Sequence, residues 1–164
     1  YKMVITNQNN IKQQKTTINK NKIDVIVNAC DYLSRNYIGG LIVISKRSEL
    51  SSYISSGEII NADISDRLLE NIFYKNTPLH DGAVIIINDK IKAAGCILPV
   101  SNSPDIPKKL GLRHRAGIGM TEKTSSIVII ISEQSGKISV STEGKLYTIN
   151  SIDRLTKFLL KETV

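Results

Sequence analysis

The stretch His80-Asp81-Gly82-Ala83-Val84-Ile85-Ile86-Ile87-Asn88-Asp89 places a short polar cluster at the mouth of an apolar strand. The run Ala83–Ile87 and the segment Ile91–Leu98 after it are typical of two antiparallel strands, with Asn88-Asp89 as the turn between them. We therefore expect a β-hairpin here. Similar apolar segments predict four further strands, at Leu41–Ile44, Ser126–Ser132, Lys137–Ser141 and Leu146–Ile149.

Helices are expected wherever apolar residues recur at helical spacing. Asp63 and Ser65 are both candidates for the N-cap of the second helix, and Ser151 is expected to cap the last. Because strands outnumber helices and hairpins dominate, the sequence predicts an α/β fold: a single domain with a central twisted mixed β-sheet flanked by helices. The four expected helices run from Lys22 to the Gly39-Gly40 pair, over Ile64–Phe73, over Ala116–Met120, and from Ser151 through Lys161.

The composition is that of an ordinary globular domain of 164 residues. The longest apolar run, Ile127–Ile131, is far shorter than the roughly 20 residues that a membrane-spanning helix needs. The N-terminal residues lack the pattern of a secretion signal. Cys30 and Cys96 lie far apart in apolar surroundings, which indicates two reduced core cysteines of a cytosolic protein and not a disulfide.

The chain carries a formal net charge of +7, which favours an anionic partner such as a nucleotide, a nucleic acid or an acidic lipid. Solvation of the surface is the ordinary explanation for most of its lysines. From their composition we expect residues 1–21 to be a polar, weakly ordered lead-in. Because the chain starts at Tyr1 and not at Met, we expect it to be a fragment of a longer protein, with the folded domain at 22–164.

A second polar cluster, Gly111-Leu112-Arg113-His114-Arg115-Ala116-Gly117, sets three nitrogen-rich side chains in a row between glycines. Guanidinium groups match phosphate oxygens two at a time, and a helix that starts here would add backbone amides to an anion site. The carboxylate of Asp81, next to the imidazole of His80, suits a divalent metal or the activation of a hydroxyl. Together the clusters indicate phosphoryl or nucleotidyl transfer.

Each cluster also has an ordinary structural explanation. Asp81-Gly82 is a common turn sequence, His80 is compatible with a hydrogen-bonded imidazole in a partly buried position, and a run of charges is usually a solvated surface. Ser132-Glu133 follows the strand Ile127–Ile131. Functional sites are common at the ends of strands, but a strand end is also where the chain ordinarily reaches solvent. On the residues alone these alternatives stay open.

Several kinds of site are excluded by the sequence. It contains no G-x-x-x-x-G-K-[ST] motif, so a nucleotide would not be held by a P-loop. With two histidines and two distant cysteines, it has too few ligands for a zinc cluster or for a helical His-Asp phosphohydrolase. It also lacks the clustered aromatic side chains on which single-stranded nucleic acids stack.

The run Thr77-Pro-Leu-His-Asp-Gly-Ala83, followed by Gly111-Leu-Arg-His-Arg-Ala116, resembles the paired DGA and RHR motifs of the diadenylate cyclase (DAC, DisA_N-type) domain. The resemblance extends in order and spacing from about residue 22 to residue 149. It includes Ala94-Gly-Cys-Ile-Leu-Pro99 and Ile130-Ile-Ser-Glu133. The first helix with Ile38-Gly-Gly-Leu41 is most similar to the membrane-anchored CdaA type, in which transmembrane helices precede the catalytic domain.

The resemblance implies that two ATP molecules condense into cyclic di-AMP in a face-to-face homodimer, with no nucleic-acid partner. It also implies a divalent cofactor, Mn²⁺ or Mg²⁺ or else Co²⁺, and a catalytic domain in the cytoplasm, at the inner face of the membrane. The roles carried over by position are catalysis by Asp81, Gly82 and Ala83; metal binding by Asp81, His80 and Glu133; phosphate binding by Arg113, His114, Arg115 and Ser132; and adenine binding by Leu98 and Gly95.

Three residues depart from the family pattern. Leu112 stands where the family often has Thr before Arg-His-Arg, Gln134 replaces a second acidic residue after Ser-Glu, and Ile97 occupies a position often held by Tyr. The first change removes a hydroxyl contact to phosphate, and the third removes an aromatic wall beside the base. None of the three alters Asp81 or the Arg-His-Arg run, so the resemblance still implies an active enzyme.

Overall fold

The computed structural model of the protein describes residues 18–47 and 49–163. Most of the expected polar lead-in, residues 1–17, lies outside the described residues. The first helix begins at Lys20, within the last residues of that segment. Its N-cap is Asn19, whose side-chain oxygen accepts a hydrogen bond from the Asn21 amide.

Five helices and seven strands make up the described part of the chain. The helices are α1 (Lys20–Arg35), α2 (Ser51–Ile54), α3 (Asp66–Phe73), α4 (Leu112–Lys123) and α5 (Ile152–Thr163). The strands are β1 (Gly40–Ser45), β2 (Glu58–Asp63), β3 (Ala83–Ile87), β4 (Lys90–Cys96), β5 (Ser126–Ile131), β6 (Ile138–Thr142) and β7 (Lys145–Ile149). No helix among these is long and apolar enough to cross a membrane.

The seven strands form one sheet in the order β2-β4-β3-β1-β5-β6-β7. β1 and β3 are parallel, whereas every other neighbouring pair is antiparallel. The expected hairpins β3–β4 and β6–β7 are both present. The prediction of a single α/β domain built on a mixed sheet with flanking helices is therefore confirmed.

The two faces of the sheet carry separate apolar cores. Along β1, Ile42 and Ile44 belong to one core and Leu41 and Val43 to the other, as expected from side chains that alternate along a strand. Helices α1, α3 and α5 cover the first face, while α4 and the short α2 cover the second. The cysteines are free, and both are buried in these cores. Burial raises the pKa of the Cys30 thiol to about 12 and that of Cys96 to about 11.

The structure differs from the expected elements in several places, and the short helix α2 is additional to the four expected helices. Strand β2 was not expected, and it pairs with β4 at the edge of the sheet. Helix α4 begins earlier and extends to Lys123, well beyond the expected Ala116–Met120.

Of the two candidate caps of α3, the structure selects Ser65, whose hydroxyl accepts a hydrogen bond from the Leu68 amide at 3.2 Å. The Ser151 hydroxyl likewise accepts from the Arg154 amide at the start of α5.

Candidate active site

One open groove of about 1700 Å³ is lined by most of the candidate site residues. It lies on the face of the sheet that α4 covers. Its walls come from the turn before β3, the end of β4, the start of α4 and the end of β5. Among the predicted residues, those that line it are Asp81, Gly82, Gly95, Leu98, Arg113, His114, Ser132 and Glu133, while His80, Ala83 and Arg115 are not part of its lining.

The Asp81-Gly82 turn is held tightly against the end of β4. Gly82 has a φ of 103°, a conformation that favours glycine, and a Cβ there would lie 2.8 Å from the Cys96 carbonyl oxygen. Gly95, on the facing segment, also has a positive φ of 64°. The close approach of these backbones leaves the Asp81 carboxylate exposed at the groove.

His80 is anchored to its own turn and stays out of the groove. Its Nδ1 lies 2.7 Å from the Thr77 carbonyl oxygen, and the Thr77 hydroxyl donates to the carbonyl of Ile72 at 2.8 Å. The Thr77 hydroxyl thus fastens the segment before Asp81 to the end of α3, and the imidazole is bonded within that segment. Ala83 is buried as the first residue of β3, next to Gly82 of the groove lining.

The Arg113-His114-Arg115 run forms the first turn of α4 after the N-cap residue Gly111. Gly111 has no side chain, so it leaves the first-turn amides to a ligand or water. His114 is buried, and its pKa is lowered by burial and secondarily by the Arg113 charge, so the imidazole is neutral at pH 7. The carbonyl of Arg115 accepts a hydrogen bond from the Ser101 amide at 2.9 Å. Of the three residues in the run, Arg113 and His114 line the groove and Arg115 does not.

Glu133 lies between two cations at the end of β5. Its Oε2 is 4.0 Å from Nη1 of Arg113, and its Oε1 is 3.7 Å from Nζ of Lys75. The neighbouring Ser132 hydroxyl accepts a hydrogen bond from the Ser135 amide at 3.2 Å. Glu133 thus neutralises part of the charge of Arg113 before any ligand binds.

The expected metal ligands do not form a ready-made three-ligand site. Within residues 18–47 and 49–163, no group of three or more His, Cys, Asp or Glu side chains is placed to hold a metal ion. Glu133 is instead paired with Lys75 and Arg113, and His80 is bonded through its Nδ1 to the Thr77 carbonyl oxygen. Mg²⁺ is usually held by one or two carboxylates together with substrate phosphates, and the exposed Asp81 carboxylate fits that pattern.

The geometry therefore places one exposed carboxylate and one arginine-bearing helix start on the same groove. Residues 27–146 match the protein family described as DAC, the DisA bacterial checkpoint controller nucleotide-binding family. The chain belongs to the DAC family.

Individual relatives agree with this assignment. The chain is 46% identical over 150 residues to the cyclic di-AMP synthase CdaA of Bacillus subtilis, a match that covers 92% of this chain and 51% of the relative. It is also 46% identical over 142 residues to a diadenylate cyclase of Listeria monocytogenes, covering 87% and 52% of the two sequences. The chain thus spans about half the length of these curated relatives.

Solved structures of similar proteins have the same fold. The structure of DacA from Staphylococcus aureus, an N166C/T172C double mutant, matches with a TM-score of 0.85 and 40% identity, covering 87% of this chain and 95% of that one. A structure described as that of a hypothetical membrane spanning protein from Bacillus cereus matches with a TM-score of 0.76 and 41% identity. It covers 78% of this chain and 63% of the other.

Within this DAC domain, sequence reasoning missed the wall that precedes α4. Residues of the loop 103–110, together with Lys137, also line the groove. Ile106 is buried in that loop although it stands between two prolines, and this apolar residue was the one signal in the sequence of an ordered wall. The residues that depart from the family pattern also line the groove: Ile97 is 71% exposed and Leu112 is 70% exposed, with Gln134 beside Glu133.

Proposed function

We propose that this DAC domain condenses two ATP molecules into cyclic di-AMP and releases two pyrophosphates. The observation that carries the proposal is that Asp81 and Arg113 line the same groove. A nucleotidyl transfer needs a group that activates a hydroxyl and a group that binds phosphate, and both must be positioned around the same bound nucleotide. The names of the relatives, a cyclic di-AMP synthase and a diadenylate cyclase, support the same reaction.

Each half of the reaction forms one phosphodiester bond. The Asp81 carboxylate accepts the proton of a ribose 3′-hydroxyl, and the 3′-oxygen attacks the α-phosphorus of the ATP held by the facing domain. The bond between that phosphorus and the bridging oxygen of pyrophosphate breaks, and pyrophosphate leaves with the electron pair. Gly82 and Ala83 allow the ribose to approach, because neither carries a bulky side chain.

The phosphates are held by the first turn of α4 and the end of β5. Arg113 supplies charge-assisted hydrogen bonds, and the neutral His114 and the Ser132 hydroxyl add contacts without further charge. Arg115 contributes its positive charge from outside the groove lining. At the other end of the nucleotide, the backbone of Leu98 and Gly95 would hold the adenine edge.

A divalent cation completes the proposed chemistry. Asp81 would hold Mn²⁺, Mg²⁺ or Co²⁺ together with phosphate oxygens, with Glu133 as the other candidate ligand in the groove and His80 outside the groove lining. When bound, the cation lowers the pKa of the attacking hydroxyl and neutralises charge on the phosphates. The carboxylate of Glu133 would have to leave Lys75 or Arg113 to become a direct ligand.

The partners follow from the reaction and from the relatives. ATP is the substrate, a second copy of the domain is the catalytic partner, and no nucleic acid is required. We place residues 22–164 as the catalytic domain of a longer membrane-anchored protein, in the cytoplasm at the inner face of the membrane. The half-length coverage of the relatives and the description of the Bacillus cereus protein as membrane spanning support this placement.

Incubation with ATP and Mn²⁺ or Mg²⁺, analysed by mass spectrometry, tests the proposal. We expect cyclic di-AMP and pyrophosphate from the wild-type chain and neither from Asp81→Asn. Nucleotide binding without product at any metal or protein concentration would show an inactive binding module instead. Oligonucleotide binding with a steep salt dependence, without ATP turnover, would favour a nucleic-acid function.

A further inference from the structure

We propose that Gly39 is a positioning residue for ATP, because the absence of a side chain there makes room for the guanidinium group of Arg113. A Cβ at Gly39 would lie 2.5 Å from Nη1 and 2.6 Å from Nη2 of Arg113, and closer still to Cζ. These are the three heavy atoms nearest to that Cβ, so the guanidinium lies directly over the glycine. The inference rests on the proposed function, in which Arg113 binds the phosphates.

The conformation of Gly39 does not itself require glycine. Among the described glycines, a positive φ occurs at Gly82, Gly95, Gly136 and Gly144, and Gly39 is not one of these. Other residues could therefore adopt the backbone conformation of Gly39 without strain. Contact with Arg113 is what a side chain at this position would disturb.

Gly39 is well placed to act on the phosphate site, because it immediately precedes β1. The first residue of that strand, Gly40, pairs with Ile131 at the end of β5, next to Ser132 and Glu133. Arg113 is thus restrained on two sides, by the backbone at Gly39 and by the Glu133 carboxylate 4.0 Å away. These restraints hold an otherwise flexible side chain in the groove before ATP arrives.

Adding a methyl group at Gly39 should move Arg113 and leave the fold in place. The obstructing atoms are the far end of a long side chain that is 27% exposed, so rotation of Arg113 away from the methyl is the easiest relaxation. That rotation removes the guanidinium from the phosphate site. The substitution therefore weakens recognition of the triphosphate and leaves recognition of the nucleoside unchanged.

The test is a double-mutant cycle between Gly39→Ala and Arg113→Ala, read as ligand affinity by calorimetry. The ligand is 3′-deoxy-ATP with Mg²⁺, which lacks the reacting hydroxyl, and adenosine is the comparison ligand. We expect Gly39→Ala to weaken binding of 3′-deoxy-ATP by about ten- to a hundredfold, and to have no further effect once Arg113 is Ala. Adenosine affinity and the thermal midpoint should stay within error.

The neighbouring glycine supplies a matched control. In Gly40→Ala the same methyl group would meet Ile131 and Leu33 side chains at 3.1 Å, so its effect should be on thermal stability and independent of Arg113. If Gly39→Ala fails to fold, the proposal still requires that the double variant, Gly39→Ala with Arg113→Ala, folds as well as the single variant Arg113→Ala. If Gly39→Ala and the double variant are both unfolded, the proposal is overturned.

The remaining outcomes separate the inference from the proposed function. Equal losses of affinity with and without Arg113, or 3′-deoxy-ATP affinity unchanged by Gly39→Ala, would show that Gly39 does not act through Arg113. Failure of the wild-type chain to bind 3′-deoxy-ATP at all would instead overturn the proposed function, and the inference with it.

Discussion

Asp81 is the carboxylate whose position best suits proton transfer, because it is exposed at the groove while its backbone is fixed by Gly82. We expect Asp81→Asn to lower the rate of cyclic di-AMP synthesis by at least about a hundredfold, with ATP affinity nearly unchanged. The amide keeps the shape but cannot accept the proton. Rates by chromatography and affinities by calorimetry check this, with Asp89→Asn at the β3–β4 turn as the control. Normal turnover in Asp81→Asn would make Glu133 the next candidate.

The two arginines of the run should differ in their importance, because Arg113 lines the groove and Arg115 does not. Arg113→Ala removes a charge-assisted contact of about 1.5–3 kcal/mol, which corresponds to a loss of ATP affinity of about ten- to a hundredfold or more. Arg115→Ala should cost less. Comparison of ATP with AMP shows whether the lost contacts are to the β- and γ-phosphates. Unchanged ATP affinity in Arg113→Ala would return the run to the role of a solvated surface.

His114 should make the stability of the domain dependent on pH. Its pKa in the folded state is lowered from 6.5 by burial, so the unfolded chain takes up a proton at this residue at a higher pH than the folded chain does. The contribution of the neutral His114 to the free energy of unfolding is therefore at its maximum above pH 6.5. It decreases as the pH falls below 6.5, because the unfolded chain then binds the proton more readily. Urea denaturation between pH 7.5 and 5 should show a smaller decrease in His114→Gln. Parallel curves would mean that His114 is protonated equally easily in both states.

Helix α4 contains glycines at positions where helix propensity alone would favour alanine. A Cβ at Gly119 would collide with the Pro99 carbonyl oxygen and lie 2.7 Å from the Ser101 amide nitrogen, both of them backbone atoms. We expect Gly119→Ala to lower the free energy of unfolding by about 1–3 kcal/mol, although alanine improves helix propensity by about 1 kcal/mol. Denaturant titration measures this against Lys123→Ala on the same helix. Stabilisation in Gly119→Ala would show that the 99–101 segment moves easily.

The same close packing explains why the sequence predicted α4 too short. The two glycines within α4 weaken the helical pattern, and their reason for being there is a contact with residues far away in sequence. Strand β2 was missed for a related reason, since most of its side chains are exposed and its register with β4 shifts between Ile59 and Ala62. The buried strands β1, β3 and β5 were predictable because an unbroken apolar run is itself the signal.

For the candidate site, the sequence identified the polar clusters but not how each side chain is used. Asp81 and Arg113 were selected because each stands in a short motif beside a strand or a helix start, and the fold brings both to one groove. The rotation of α4 decides that Arg113 lines the groove and Arg115 does not. A contact between distant segments pairs Glu133 with Lys75. Motif spacing along the chain predicts neither the helix rotation nor this ion pair.

At the scale of the whole molecule, the proposed chemistry exceeds what one groove can complete. A cyclic product with two phosphodiester bonds requires two nucleotides, each attacking the other, whereas one domain presents one Asp81 and one Arg113 to its groove. A two-fold arrangement of two domains satisfies this requirement, since each supplies the same surface to its partner. In a membrane-anchored parent, confinement to a surface would raise the local concentration of domains.

The isolated chain should therefore gain specific activity as its concentration rises. We expect it to be mostly monomeric when dilute, so the rate per enzyme should increase roughly in proportion to concentration until the dimer is saturated. Measuring that rate over a hundredfold dilution, with sedimentation velocity on the same samples, tests the dependence. Asp81→Asn added to dilute wild-type chain should form mixed dimers, in which only one of the two bonds can close, and should lower the yield of cyclic product. A constant specific activity from a species that sediments as a monomer throughout would contradict face-to-face catalysis.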